Sequence, residues 1–112
     1  MSTPPNPAPW DTQQSNDLYG VDNWANDFFS ISKNGHLHVH LHDGPQKKSA
    51  SLLDIVNGIR ERGLDTPLLL RFHDLLADRI RNLNLAFNSA ITDSGYQGNY
   101  RGVYPIKVNQ QQ

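Results

Sequence analysis

Hydrophobic and polar residues along the chain change period several times, and each change marks an element. Two β-prone runs, Phe28-Phe29-Ser30-Ile31-Ser32 and Leu37-His38-Val39-His40-Leu41, flank Asn34-Gly35. Asn-Gly in that setting predicts a hairpin closed by a two-residue turn, because both residues tolerate positive φ. In the second run Leu37, Val39 and Leu41 fall on one face, and His36, His38, His40 and His42 on the other. The Gly44-Pro45 pair then predicts a loop over residues 43–48.

The period next lengthens to that of a helix. Leu52, Val56 and Ile59 form an apolar stripe, Ser49 or Ser51 can cap it, Asp54 stands three residues after Ser51, and Gly63 can close the C-terminus. Residues 66–72, Thr-Pro-Leu-Leu-Leu-Arg-Phe, form a continuous apolar run of strand length, of the kind covered on both faces. A second helix is predicted over 74–92, capped by Asp74, with Leu76, Ile80, Leu83, Phe87 and Ile91 on one side. Asp93-Ser94-Gly95 breaks it. Residues 101–109 read as a last strand in which Val103, Pro105 and Lys107 share one face and Tyr104, Ile106 and Val108 the other. Pro105 fits only at an irregular strand end. Strand, helix, strand in this order predicts an α/β unit feeding a parallel sheet.

The front of the chain differs. Residues 1–17 hold four prolines in their first nine positions and then mostly polar residues, which predicts a disordered tail carrying an exposed Trp10. Tyr19, Trp24, Phe28 and Phe29 follow among Asn and Asp, as in a short helical turn whose rings pack on a larger body.

Composition narrows the partners more than the chemistry. Apolar residues including glycine make up about 40%, below the roughly 45–50% usual for globular domains. The formal net charge is −1 and neither sign is gathered into a block, so nothing points to nucleic acid or an anionic membrane. The chain has no cysteine, which excludes disulfides and thiolate metal sites. It has neither a secretory signal pattern nor an apolar run long enough to span a bilayer, and the expectation is a cytoplasmic protein. Alternating histidines can offer two imidazoles to one metal ion, but with no third ligand nearby they read as the solvated face of a strand.

Lys107 is the residue with the most specific chemistry. An amine at the end of a buried strand loses solvation, which favours its neutral, nucleophilic form and equips it to condense with an aldehyde. Its setting, Tyr104-Pro105-Ile106-Lys107-Val108-Asn109-Gln110, resembles the Schiff-base motif of biosynthetic arginine decarboxylases, in the alanine-racemase-like class of pyridoxal phosphate enzymes. The stretches at 18–29, 67–76 and 95–100 resemble that family in the same order.

The resemblance implies an N-terminal fragment in three parts: a tail (1–17), a segment with hairpin and helix (18–66), and the start of a cofactor-binding barrel (67–112). The corresponding fold is α/β: part of a β-sandwich plus the first helix and strand of a TIM-type β/α barrel, truncated. It further implies Lys107 as catalytic residue and pyridoxal 5'-phosphate attachment point, with Tyr104 and Asn109 as orienting groups. L-Arginine would be the substrate, agmatine and carbon dioxide the products, polyamine synthesis the setting, magnesium an associated ion and a homo-oligomer the full-length state. Groups that read the guanidinium and grip the phosphate would lie downstream, so the 112-residue chain is expected to be inactive alone. Two other readings are a related barrel enzyme acting on diaminopimelate, ornithine or alanine, and a small noncatalytic binding protein.

Overall fold

The computed structural model describes residues 2–43 and 45–107. The chain divides into two units, Met1–Leu75 and Leu76–Gln112.

In the first unit, residues 2–10 are exposed and without regular structure, but the predicted tail ends earlier than expected. Helix α1 runs Thr12–Tyr19, started by a reciprocal cap: the Asp11 carboxylate accepts from the Gln14 N–H at 2.8 Å, and the Gln14 side chain accepts from the Asp11 N–H at 2.9 Å. Gly20, at φ +59°, ends α1 and leads into a single turn, α2 (Val21–Trp24). Asn26 and Asp27 both take positive φ, a conformation their short polar side chains tolerate, and turn the chain into the sheet.

The sheet is antiparallel in the order β1 (Phe29–Ile31), β2 (Leu37–Asp43), β3 (Gln46–Ser51). The predicted β1–β2 hairpin is present, with Phe29 opposite Val39 and Ile31 opposite Leu37. Its turn differs from expectation. Ser32 N–H donates to the His36 carbonyl at 2.8 Å and Gly35 N–H to the Ser32 carbonyl at 2.9 Å, so three residues lie between Ser32 and His36. Gly35 alone takes positive φ (+82°), which makes this a three-residue loop of the type I plus bulge kind.

The predicted loop over 43–48 is also corrected. The chain turns between Asp43 and Gln46, which pair, and 46–48 belong to β3. With Gln46, Lys47, Lys48, Ser49 and Ser51, this strand lacks the apolar alternation that would announce it. Backbone pairing with β2 forms it, and its two lysines suit an exposed sheet edge.

Val39 is fully buried, and with Val21, Ala25 and Phe28 it makes up a small core where α2 meets the sheet. Trp24 and Phe29 meet at 5.5 Å between ring centroids, and Phe29 meets Phe72 edge-on at 6.5 Å. Helix α3 spans Leu52–Glu61, with Ser51 as its cap and Gly63 at φ +88° closing it. Gly63 N–H donates to the Arg60 carbonyl and Leu64 N–H to the Ile59 carbonyl, the Schellman pattern.

The strand expected over 66–72 is absent: these residues have no regular structure, and the Thr66–Pro67 bond among them is cis. An apolar run becomes a strand only by pairing, and the described sheet consists of β1, β2 and β3.

Helix α4 spans His73–Ser94, one residue earlier and two later than predicted. Gly95, at φ +67°, ends it, and Tyr96 N–H donates to the Ile91 carbonyl at 3.1 Å in a second Schellman pattern. In the second unit the predicted stripe is largely exposed, Leu76 by 64% and Phe87 by 46%. Residues 101–107 also depart from expectation. They form no strand, and Val103 and Ile106 are 92% and 90% exposed. Val108 and Asn109, the rest of that predicted strand, lie outside the described residues.

The result is a mixed helix-and-strand chain with a small antiparallel sheet, consistent with part of an α/β fold.

Candidate functional site

The lysine segment is positioned from α4. After the Gly95 cap the chain doubles back, and Tyr100 lays its ring flat on Phe87, with centroids 4.2 Å apart and planes 1° apart. Between α4 and this returning segment lies an apolar cleft of about 580 Å³, lined by Leu76, Ile80, Leu83, Tyr100, Val103 and Tyr104. Three of these six come from the predicted helix stripe, and Tyr104 was the orienting group suggested by the motif. Sequence periodicity thus found one wall of the cleft.

Lys107 itself is exposed, and its amine has no hydrogen bond or ion pair among the described residues. The structure therefore does not bury it at the end of a strand. An accessible primary amine suits covalent attachment of an aldehyde, which is one requirement of pyridoxal phosphate. The contacts described around Lys107 supply no cradle for the phosphate or for the ring nitrogen. Asn109, the second proposed orienting group, lies outside the described residues.

The histidine face of β2 is engaged in structure. His40 Nε2 meets Ser30 Oγ at 2.5 Å and His38 Nδ1 meets Ser49 Oγ at 3.0 Å, both across strand pairs, and His42 lies edge-on to Phe28 at 6.2 Å. Among the described residues no group of three or more His, Cys, Asp or Glu is placed to hold a metal ion. No carboxylate of the described chain is accordingly assigned to magnesium. Also among the described residues, no helix is long and apolar enough to cross a membrane.

Asp78 was missed by sequence reasoning. It is buried on α4, where its carboxylate accepts from Arg81 Nη1 at 3.1 Å and Asn82 Nδ2 at 3.2 Å. Spacings of three and four residues on one helix carry that signal.

Similarity to known proteins bears on the readings the geometry leaves open. The chain is 43% identical over 102 residues to proteins named biosynthetic arginine decarboxylase from Prochlorococcus marinus, Gloeobacter violaceus and a Nostoc species. The chain is similar to a segment of proteins named biosynthetic arginine decarboxylase. The match takes in 91% of this chain but only 15–16% of each relative, so the chain spans about a sixth of the length of the arginine decarboxylases it matches. No protein-family model matches the chain, and no solved structure matches it.

Proposed function

We propose that this chain is the part of a biosynthetic arginine decarboxylase that carries the coenzyme lysine, and that Lys107 is that residue. The observation that carries the proposal is the 43% identity over 91% of the chain to proteins of that name. It favours the arginine enzyme over related barrel enzymes and over a noncatalytic binding protein. Residues 101–109 would become the first strand of a β/α barrel once the rest of the barrel pairs with them. The cytoplasm and a homo-oligomeric full-length enzyme accompany the proposal.

When bound, pyridoxal phosphate would take up the electron pair left as the arginine α-carboxylate departs as carbon dioxide. Lys107 Nζ would attach to the coenzyme aldehyde between turnovers and, when released, hold the proton delivered to the substrate α-carbon. Tyr104 would wall the site, restrict water and orient the segment. Arginine recognition and the phosphate grip would come from other parts of such an enzyme, and the 112-residue chain would be inactive alone.

Two measurements test this. With the chain carried in the matching segment of the Prochlorococcus relative, incubation with pyridoxal phosphate, borohydride reduction and peptide mapping should label Lys107 in preference to Lys33, Lys47 and Lys48; equal labelling of all four counts against a dedicated site. Placed in the matching segment of the Prochlorococcus relative, the chain should support release of carbon dioxide from L-arginine. Lys107→Ala in that chimera should lower the turnover by about a hundred- to ten-thousandfold. Unchanged turnover in that variant removes Lys107 from the mechanism.

A further inference from the structure

A second cleft, in the first unit and unrelated to Lys107, lies between the β2–β3 sheet and α3. It has a volume of about 580 Å³, and its lining includes Ala50, Ile55, Gly58 and Ile59 as well as His38, Asp54 and Arg62. The apolar members make a short greasy floor. The charged members stand at opposite ends: Asp54 is in the first turn of α3, and Arg62 is its C-cap. They are eight positions apart, about 12 Å of helix axis, and the Arg62 side chain is long enough to shorten that gap.

Three observations single out this cleft. First, Asp54 and Arg62 are both exposed, and among the described residues neither the carboxylate nor the guanidinium has a hydrogen-bond or ion-pair partner; the salt bridge at the C-terminal end of the helix uses Arg60 and Asp65 instead, at 3.4 Å. Second, Gly58 sits inside α3 although a Cβ there would meet nothing within 4 Å. Packing does not require glycine, and glycine inside a helix is less favourable than alanine. Its effect is to keep the floor of the cleft open. Third, His38 is held by Ser49 through Nδ1, which leaves Nε2 available at the Asp54 end, where His38 pairs with the capping residue Ser51.

The helix dipole is complementary to both charges, positive beside Asp54 and negative beside Arg62, and so offsets part of their field. It contributes only about half a charge at each terminus, against a full charge on Asp54 and on Arg62, so the cleft keeps a negative and a positive end.

We propose that this cleft binds a small zwitterion whose cationic head and carboxylate are joined by a short aliphatic stem, the head on Asp54 and His38, the carboxylate on Arg62 and the stem over Gly58. The site is independent of the coenzyme lysine, so it stands or falls apart from the decarboxylase reading.

The probe is ε-aminocaproate, titrated into the full 112-residue chain and followed by backbone amide NMR, with hexylamine and caproate as single-charge controls. Amides of residues 54–62 and of His38 should shift, and each control should bind about tenfold or more weakly, as expected for loss of a charge-assisted contact. Asp54→Asn and Arg62→Gln should each weaken binding about tenfold. Gly58→Leu should abolish binding while keeping the helical spectrum, since it fills the floor and raises helix propensity. The proposal is overturned if no amide in this region shifts at about 10 mM probe, a concentration well above a millimolar Kd. Binding of both controls as tight as that of ε-aminocaproate, or retained affinity in both charge variants, overturns it as well.

Discussion

Tyr100 lies parallel on Phe87 at 4.2 Å, joining the segment that leads to Lys107 to the helix that precedes it. The two residues are 13 positions apart, and the Gly95 turn brings them together. A stacked aromatic pair contributes about 0.5–1.5 kcal/mol beyond its buried area. Phe87→Ala should therefore speed amide exchange over residues 96–100 by up to about tenfold, as that energy corresponds to. Tyr100→Phe, which keeps the ring, should leave exchange unchanged. If Phe87→Ala leaves it unchanged too, the stack does not hold the segment.

The β1–β2 turn gives a sharper sequence test. A two-residue turn would demand positive φ at both Asn34 and Gly35, whereas the observed loop places it only at Gly35. Gly35→Ala should destabilise the first unit by about 1–2 kcal/mol, the cost of the left-handed region for a residue with a Cβ. Asn34→Ala should change stability by no more than about 0.5 kcal/mol. Urea denaturation of both variants separates the two turn types, because equal losses would restore the two-residue turn.

What the sequence made legible was whatever local chemistry determines. The α3 boundaries follow from Ser51 and Gly63, the α4 stripe from its spacing, and the hairpin from β-prone runs around Asn34-Gly35. Strand β3 was hidden because its residues are polar and only pairing with β2 orders them. Helix α1 was hidden behind the prolines, although Asp11 and Gln14 already had capping-box spacing. Residues 67–72 and 101–107 erred the other way. Their apolar composition suits strands covered on both faces, but composition cannot supply the neighbouring strands, and in this chain the runs stay irregular. At the candidate site the heptapeptide singled out Lys107 and Tyr104, while the cleft that Tyr104 helps to line emerged only when the chain folded back on α4.

Helix caps carry a prediction of their own. Ser51 is buried and its hydroxyl accepts from the Asp54 N–H at 3.4 Å. Ser51→Ala should cost about 1 kcal/mol, with Ser51→Asp recovering part of it. Because Ser51 is also the last residue of β3, the loss should show in thermal unfolding followed both by helical ellipticity and by NMR signals of β2. A loss confined to the helix would mean that strand and helix are not coupled through this residue.

The final prediction concerns what residues 101–107 become when more chain is present. Val103, Tyr104 and Ile106 are almost fully exposed here, and together they represent apolar area that burial would reward at about 25 cal/mol per Å². Backbone groups of this segment form no ladder, so its amides should exchange at near the intrinsic rate in the 112-residue chain, while those of β2 are protected. In the chimera with the Prochlorococcus relative, new neighbouring strands would satisfy those groups and cover the side chains. Exchange over 101–107 should then slow by about a hundredfold or more, a change of roughly 3 kcal/mol in local opening. Slowing there together with labelling of Lys107 by the coenzyme would mean that the segment waits for its neighbours before its lysine gains a catalytic setting. Fast exchange in an active chimera would show instead that the lysine works from a loop, and the barrel-strand assignment of 101–109 would have to be given up.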